Sequence, residues 1–287
     1  MKRDLPLPLA FWKWEGLGND FVLTLTPEGP PPAAEALARE VCDRHRGIGA
    51  DGLVFVTPIA GGLGMEIYNA DGSLAQMCGN AIRCVAGLGQ RESLFQGDRT
   101  EVSTRSGPRE VRILSAPAPW VVQVDMGEPQ VLEGPGFLML GEEVRPCATL
   151  SLGNPHRVVF VEDLDSADVE RHGPVLERRH PQGLNVEFVR VLGPDHLEVR
   201  VWERGVGVTL ACGTGACAAL VAASMAGLTG RRAQVDLPGG SLEVAWQEDG
   251  RVRLVGPARQ VFRGEWMPDA DGPSPTADSS EQEGGGK

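Results

Sequence analysis

Lysine is almost missing from this chain. Only Lys2, Lys13 and Lys287 occur among 27 basic residues, the rest being arginine. Pyridoxal chemistry needs a Schiff-base lysine. Lys13 is the only plausible internal candidate, and no phosphate-binding glycine loop accompanies it, so that route is set aside. Asparagine is nearly as scarce, with five residues: Asn19, Asn69, Asn80, Asn154 and Asn185. Its amide is thermolabile, and heat-adapted proteins shed it. In such a composition each remaining asparagine is worth asking about. Positive charge is in deficit too, with a net charge of −12 and a pI near 4.9. That balance argues against nucleic acid or an anionic membrane surface as the main partner. A membrane-spanning run is also lacking. No charge occurs between Arg204 and Arg231, but the stretch is dominated by Gly, Ala, Ser and Thr and begins with a glycine-rich turn. A spanning helix needs about 20 predominantly apolar residues, so a helix buried on all sides is expected instead.

Cysteine is present six times, at Cys42, Cys78, Cys84, Cys147, Cys212 and Cys217. A chain of 287 residues can hold a core without disulfides. Met1 to Glu15 offers only a short, proline-broken apolar stretch and no secretory leader. The expectation is a reduced, cytoplasmic protein. Pairing Cys78/Cys84 with Cys212/Cys217 as a zinc site would need spacings of six and five. Structural zinc favours gaps of about two to four residues, so no metal is expected.

Two cysteine segments are near copies. One reads Met77-Cys78-Gly79-Asn80-Ala81-Ile82-Arg83-Cys84, the other Ala211-Cys212-Gly213-Thr214-Gly215-Ala216-Cys217. The copying extends upstream. Leu17-Gly18-Asn19 and Leu152-Gly153-Asn154 lie 135 positions apart, as do Arg44-His45 and Arg179-His180. With the cysteines 134 apart, three matches within one residue of a common offset imply an internal duplication. The fold class expected is α+β: two pseudo-symmetric domains, each a curled, mostly antiparallel sheet around a central apolar helix. Their bounds are read as 1–130 and 131–267, with a Pro-, Gly-, Ser- and acid-rich disordered tail over 268–287.

Periodicity supports this reading. Strands are expected at 21–26, 53–59, 65–69, 101–104, 110–114 and 120–125, with helices at 33–45 and after Cys78. The second half repeats the pattern with strands at 158–162, 185–191, 197–202, 233–237, 242–246 and 251–255. Its helices are expected over 165–179, where Gly173-Pro174 threatens a break, and 213–226.

A helix start offers unpaired N–H groups and the positive end of the helix dipole. A cysteine there has its thiolate favoured. The same N–H groups suit a substrate carboxylate, and glycine lets a ligand approach the backbone closely. Gly79-Asn80 and Gly213-Thr214 are therefore expected to hold a carboxylate between two helix ends. An amino-acid α-carbon placed there lies between two sulfurs. Cys78 and Cys212 could act as base and acid on its opposite faces, which inverts the centre.

These residues resemble the diaminopimelate epimerase family. The matching segments are Gly16-Leu17-Gly18-Asn19-Asp20-Phe21-Val22, Gly47-Ile48-Gly49-Ala50-Asp51-Gly52, Asn69-Ala70-Asp71-Gly72-Ser73, Met77-Cys78-Gly79-Asn80, Gly153-Asn154-Pro155-His156, Trp202-Glu203-Arg204-Gly205 and Ala211-Cys212-Gly213-Thr214-Gly215-Ala216. The resemblance implies interconversion of LL- and meso-diaminopimelate without a cofactor, in lysine and peptidoglycan precursor synthesis, by a homodimer. It implies Cys78 and Cys212 as the bases, assisted by His156 and Glu203. Asn19, Asn69, Asn154, Asn185, Glu203 and Arg204 match its substrate contacts. Two departures touch the pocket: Glu15 stands where the family commonly has His, and Gly52 where some members have Gln. Two rivals remain open. A proline or hydroxyproline racemase looks similar in its paired cysteines, but typically carries Cys-Gly-His where this chain has Cys78-Gly79-Asn80. A dithiol redox or metal-binding protein is the rival from another class.

Overall fold

The structure, a computed structural model, describes residues 8–267. The tail expected over 268–287 lies outside the described residues. β1 (Leu9–Gly16) and β2 (Asn19–Leu25) form a hairpin whose turn residues, Leu17 and Gly18, take positive φ of 59° and 79°. α1 (Ala34–Cys42) leads to β3 (Gly52–Ile59), parallel to β2. Then come β4 (Gly62–Asn69), β5 (Leu74–Ala75), α2 (Gly79–Arg91), β6 (Arg99–Thr104), β7 (Gly107–Ser115) and β8 (Trp120–Gly127). A hairpin of β9 (Gln130–Leu140) and β10 (Glu143–Ser151) begins the second half. β11 (Pro155–Phe160), α3 (Val169–Glu177), β12 (Asn185–Gly193), β13 (His196–Glu203), β14 (Gly207–Thr209), α4 (Gly213–Met225), β15 (Arg232–Leu237), β16 (Gly240–Trp246) and β17 (Val252–Trp266) complete it. The run from β2 to β8 and the run from β11 to β17 follow the same order of elements, as the duplication requires.

The pairings close each half with strand from the other. In the first, β1-β2-β3-β4-β6-β7-β8 is completed by β17, which pairs with both β8 and β1. In the second, β10-β11-β12-β13-β15-β16 runs to β17, whose neighbour β8 leads on into β9, the partner of β10. One helix fills each ring. Gly79 to Gly89 of α2 and Gly213 to Ala223 of α4 are buried without interruption. Small residues make that packing feasible. A Cβ on Gly87 would stand 2.6 Å from Trp14, which in turn packs on Trp120 with ring centroids 5.0 Å apart. α4 is apolar on every side, as expected, and among the described residues no helix is long and apolar enough to cross a membrane.

Local chemistry trims the expected helices. α1 stops at Cys42 because Asp43 turns its carboxylate onto the N–H groups of His45 and Arg46, both 2.8 Å away. α3 begins at Val169, not at 165, because Asp163 engages the N–H groups of Asp165 and Ser166 and holds a turn there. Gly173-Pro174 lies inside α3 without ending it. β1 and the β9–β10 hairpin were not expected; Gly134-Pro135-Gly136 interrupts the strand pattern of β9.

Candidate active site

The two helix starts meet. Cys78 caps α2 and Cys212 caps α4, both in extended backbone conformation. A Cβ added to Gly79 would lie 3.3 Å from Gly213 Cα, and one on Gly213 would lie 3.2 Å from Gly79 Cα. Glycine at both positions allows this approach without crowding, which an added Cβ would bring at either one. Asn80 fastens the junction. Its Nδ2 donates to Asn19 Oδ1 at 3.2 Å and to Ala211 O at 3.1 Å, while its buried Oδ1 has no protein partner. Below it, the fully buried Arg83 donates to the Gly79 and Pro257 carbonyls, each at 2.9 Å.

The sulfurs have different surroundings. Cys78 is half-buried, and its Sγ lies 3.8 Å from Asn19 Oδ1. Cys212 is buried. Its Sγ accepts the Gly215 N–H at 3.4 Å and lies 3.5 Å from Thr214 Oγ1. Beside it sits a polar cluster from the second sheet. His156 and Glu187 are fully buried and joined at 2.7 Å between Nδ1 and Oε1. His156 Nε2 lies 3.0 Å from Asn154 Oδ1. Glu203 Oε1 accepts the Thr209 hydroxyl at 2.6 Å.

Electrostatics correct one expectation. A helix start was expected to favour the thiolate, yet both thiols are pushed above their ordinary range. Burial does this at Cys78, outweighing the N–H groups of Ala81 and Asn80. At Cys212 burial is joined by the carboxylates of Glu203 and Glu187, against Thr214 and the Gly215 N–H. Desolvation disfavours the charged form more than the helix end favours it. Glu203 is raised as well, by burial, despite the Thr209 bond.

The structure brings together Cys78, Cys212, Gly79, Gly213, Asn80 and Asn19, and sets Thr214 against Cys212. His156 bonds Asn154 and is the strand partner of Asn185, whose Oδ1 accepts the Arg204 N–H at 2.9 Å. Glu203 precedes Arg204, so this group is contiguous. Asn69 is the exception among the expected contacts: its Nδ2 donates to Ser73 Oγ at 2.9 Å, closing a turn, and not to the helix-start cluster. Three neighbours were missed. Asp51 Oδ2 accepts from Asn19 at 2.6 Å, Arg83, one turn into α2, donates back to Gly79 O, and Glu187 holds His156. A lone acid within the apolar run Asn185-Val186-Glu187-Phe188-Val189 was a signal for the last. Of the departures, Glu15 accepts the Gly18 N–H at 3.0 Å, and Gly52 sits where a Cβ would press on Tyr68 O at 3.0 Å. Among the described residues no cluster of His, Cys, Asp and Glu is fit for a metal.

Two rings of strands, each enclosing a helix that begins at a cysteine, define an epimerase-type fold. The same architecture occurs in the solved structure of a hydroxyproline epimerase from Agrobacterium vitis with bound trans-4-hydroxy-L-proline. The TM-score is 0.70 over 92% of each chain, at 14% identity, a likeness of fold alone. Residues 11–132 and 148–261 match the diaminopimelate epimerase family model. A diaminopimelate epimerase from Desulforudis audaxviator is 46% identical over 276 residues, covering 90% of this chain and 99% of its own. One from Pelotomaculum thermopropionicum is 44% identical over 280 residues with the same coverage. The chain belongs to the diaminopimelate epimerase family.

Proposed function

We propose that this protein epimerises LL-diaminopimelate to meso-diaminopimelate, with Cys78 and Cys212 as opposed acid and base. The abutting helix starts, each capped by a thiol, are the observation that carries the proposal. A substrate carboxylate at Gly79-Asn80 and Gly213-Thr214 faces two sets of free N–H groups, each helix end contributing about 0.3–1 kcal/mol or somewhat more when dry. One sulfur, as thiolate, takes the α-proton. The C–H electron pair passes into the carboxylate as an enediolate, held by those same donors. The other sulfur gives its proton to the opposite face, so the sulfurs exchange protonation states in each turnover. At both thiols burial raises the sulfur, while the Asn80 and Ala81 N–H groups at Cys78 and Thr214 and the Gly215 N–H at Cys212 work against it.

His156 and Glu203 are assigned to assist the two thiols. Asn19, Asn69, Asn154, Asn185, Glu203 and Arg204 are assigned to substrate, a set suited to a second amino-acid head. Residues 1–130 and 131–267 are read as the two domains, with strands shared across them. A homodimer in the cytoplasm, with neither nucleic acid nor membrane as partner, completes the reading. The test is solvent deuterium incorporation with diaminopimelate and, separately, with proline. Label and inversion in diaminopimelate alone support the proposal. Label in proline alone transfers it to a proline racemase, and label in neither removes it.

A further inference from the structure

Glu187 has no role in the scheme above, yet its position is unusual. Its side chain is fully buried on β12; Oε1 lies 2.7 Å from His156 Nδ1, and Oε2 has no protein partner. The other ring nitrogen, Nε2, lies 3.0 Å from Asn154 Oδ1. Both nitrogens of His156 therefore face oxygen acceptors. A neutral imidazole has one N–H and satisfies one of them. A carboxylate buried without a counter-charge is strongly disfavoured. A second proton on His156 answers both demands. The pair also adjoins Cys212: the point where a Cβ on Gly215 would sit is 2.6 Å from Glu187 Oε1 and 3.2 Å from Cys212 Sγ. The charged groups acting on the imidazole are Glu187 from β12, bonded to it, and Glu203 from the end of β13; the same two carboxylates act on Cys212 at the cap of α4.

We infer that Glu187 is a positioning residue that holds His156 as an imidazolium, setting a fixed positive charge beside the Cys212 half-site. That charge offsets Glu203 and favours the anionic species formed during proton transfer. The kinetic half of this inference rests on the proposed epimerase activity; the charge state does not.

Long-range ¹H–¹⁵N spectra of the full ¹⁵N-labelled chain test it, with His156 assigned by the signal lost in His156→Asn. The wild-type protein should show both His156 nitrogens protonated at pH 7. In Glu187→Gln, His156 should carry one N–H at pH 7, and kcat should fall about ten- to a hundred-fold with KM held within about threefold. Glu187→Asp, which restores the carboxylate, should recover part of kcat. A neutral His156 at pH 7 in the wild type would overturn the inference, whatever the Glu187 variants show. So would a Gln variant that keeps both the doubly protonated spectrum and kcat. An imidazolium in a wild-type protein that leaves diaminopimelate unchanged would support the charge state and sink the activity instead.

Discussion

Around Cys78 stand the Asn19 amide and the N–H groups of Asn80 and Ala81, with Arg83 and the carboxylate of Glu203 acting from further off. Around Cys212 the neighbours are carboxylates and an imidazole. Strand register makes the comparison residue by residue. Phe21 pairs with Gly52, and Gly52 with Asn69, in the first half. His156 pairs with Asn185 in the second, and Glu203 follows the Val186–Trp202 pair in the step opposite Asn185. His156 thus stands where the first half has Phe21, Glu203 where it has Asn69, and Glu187 where it has the buried Val54. Gly215 stands where it has Ala81, because Glu187 fills the space a methyl would take. Duplication supplied two thiol caps, and later divergence loaded ionisable groups onto one of them. The two sulfurs share a geometry but not an electrostatic environment.

The largest effect expected is loss of either thiol. Cys78→Ala and Cys212→Ala should each lower kcat by about 10³-fold or more, the scale of a proton-transfer group, read as LL-to-meso conversion. A near-normal rate in either variant would end the symmetry of the two-base scheme. Next comes the junction. Gly79→Ala or Gly213→Ala must separate helix starts now 3.2–3.3 Å from the added methyl. About a ten- to hundred-fold loss of kcat is expected from a shift of a few tenths of an ångström at both thiol caps, with about 1–3 kcal/mol of overpacking in denaturant melts.

The asymmetry itself is sharpened by a pair of smaller changes. Gly215→Ala drives a methyl to 2.6 Å from Glu187 Oε1 and should lower kcat by about tenfold. The matching change in the first half, Ala81→Gly, meets no such group and should cost about 1 kcal/mol of helix stability. Equal kinetic losses from the two would show that the half-sites are not distinct.

The last effect, on stability and not on rate, lies at the start of β2. Asp20 occupies the place of Pro155 and is bound by Lys13 at 2.6 Å and Arg44 at 2.8 Å. Burial raises its carboxyl, but those two cations outweigh burial and hold it at about 2. A carboxyl lowered in the folded state contributes stability above its unfolded value of about 3.9. That stability is fully present near neutral pH and is lost as pH falls from about 4 towards 2. Asp20→Asn should lower unfolding free energy at pH 7 by about 1–2 kcal/mol and flatten the acid limb of the stability curve. An unchanged acid limb would remove the Lys13–Asp20–Arg44 cluster as its cause.

Much of the fold was written in local patterns. The duplicated Cys-Gly caps marked both central helices, and uniform small apolar residues marked α4 as buried throughout. What local patterns do not carry is pairing between distant segments. That β17 closes the first ring and the β8–β9 run the second depends on contacts between strands over a hundred positions apart. The same limit hid Glu187, whose meeting with His156 follows from the parallel register of β11 and β12. The site's chemistry was legible in kind: thiols, amides and free N–H groups were all read from sequence. The sign of the thiol shift was not. A helix start is visible in a sequence, whereas the burial of Cys212 appears only once the ring of strands has closed around α4.

The most direct measurement is conversion of LL-diaminopimelate in D₂O, followed at early times by mass spectrometry of both isomers. With two opposed thiols, the first meso product carries one deuterium at the inverted centre while unreacted LL-substrate stays unlabelled. Meso product that retains the substrate's own hydrogen, or label arriving equally in both isomers from the start, would contradict a proton removed by one sulfur and replaced by another.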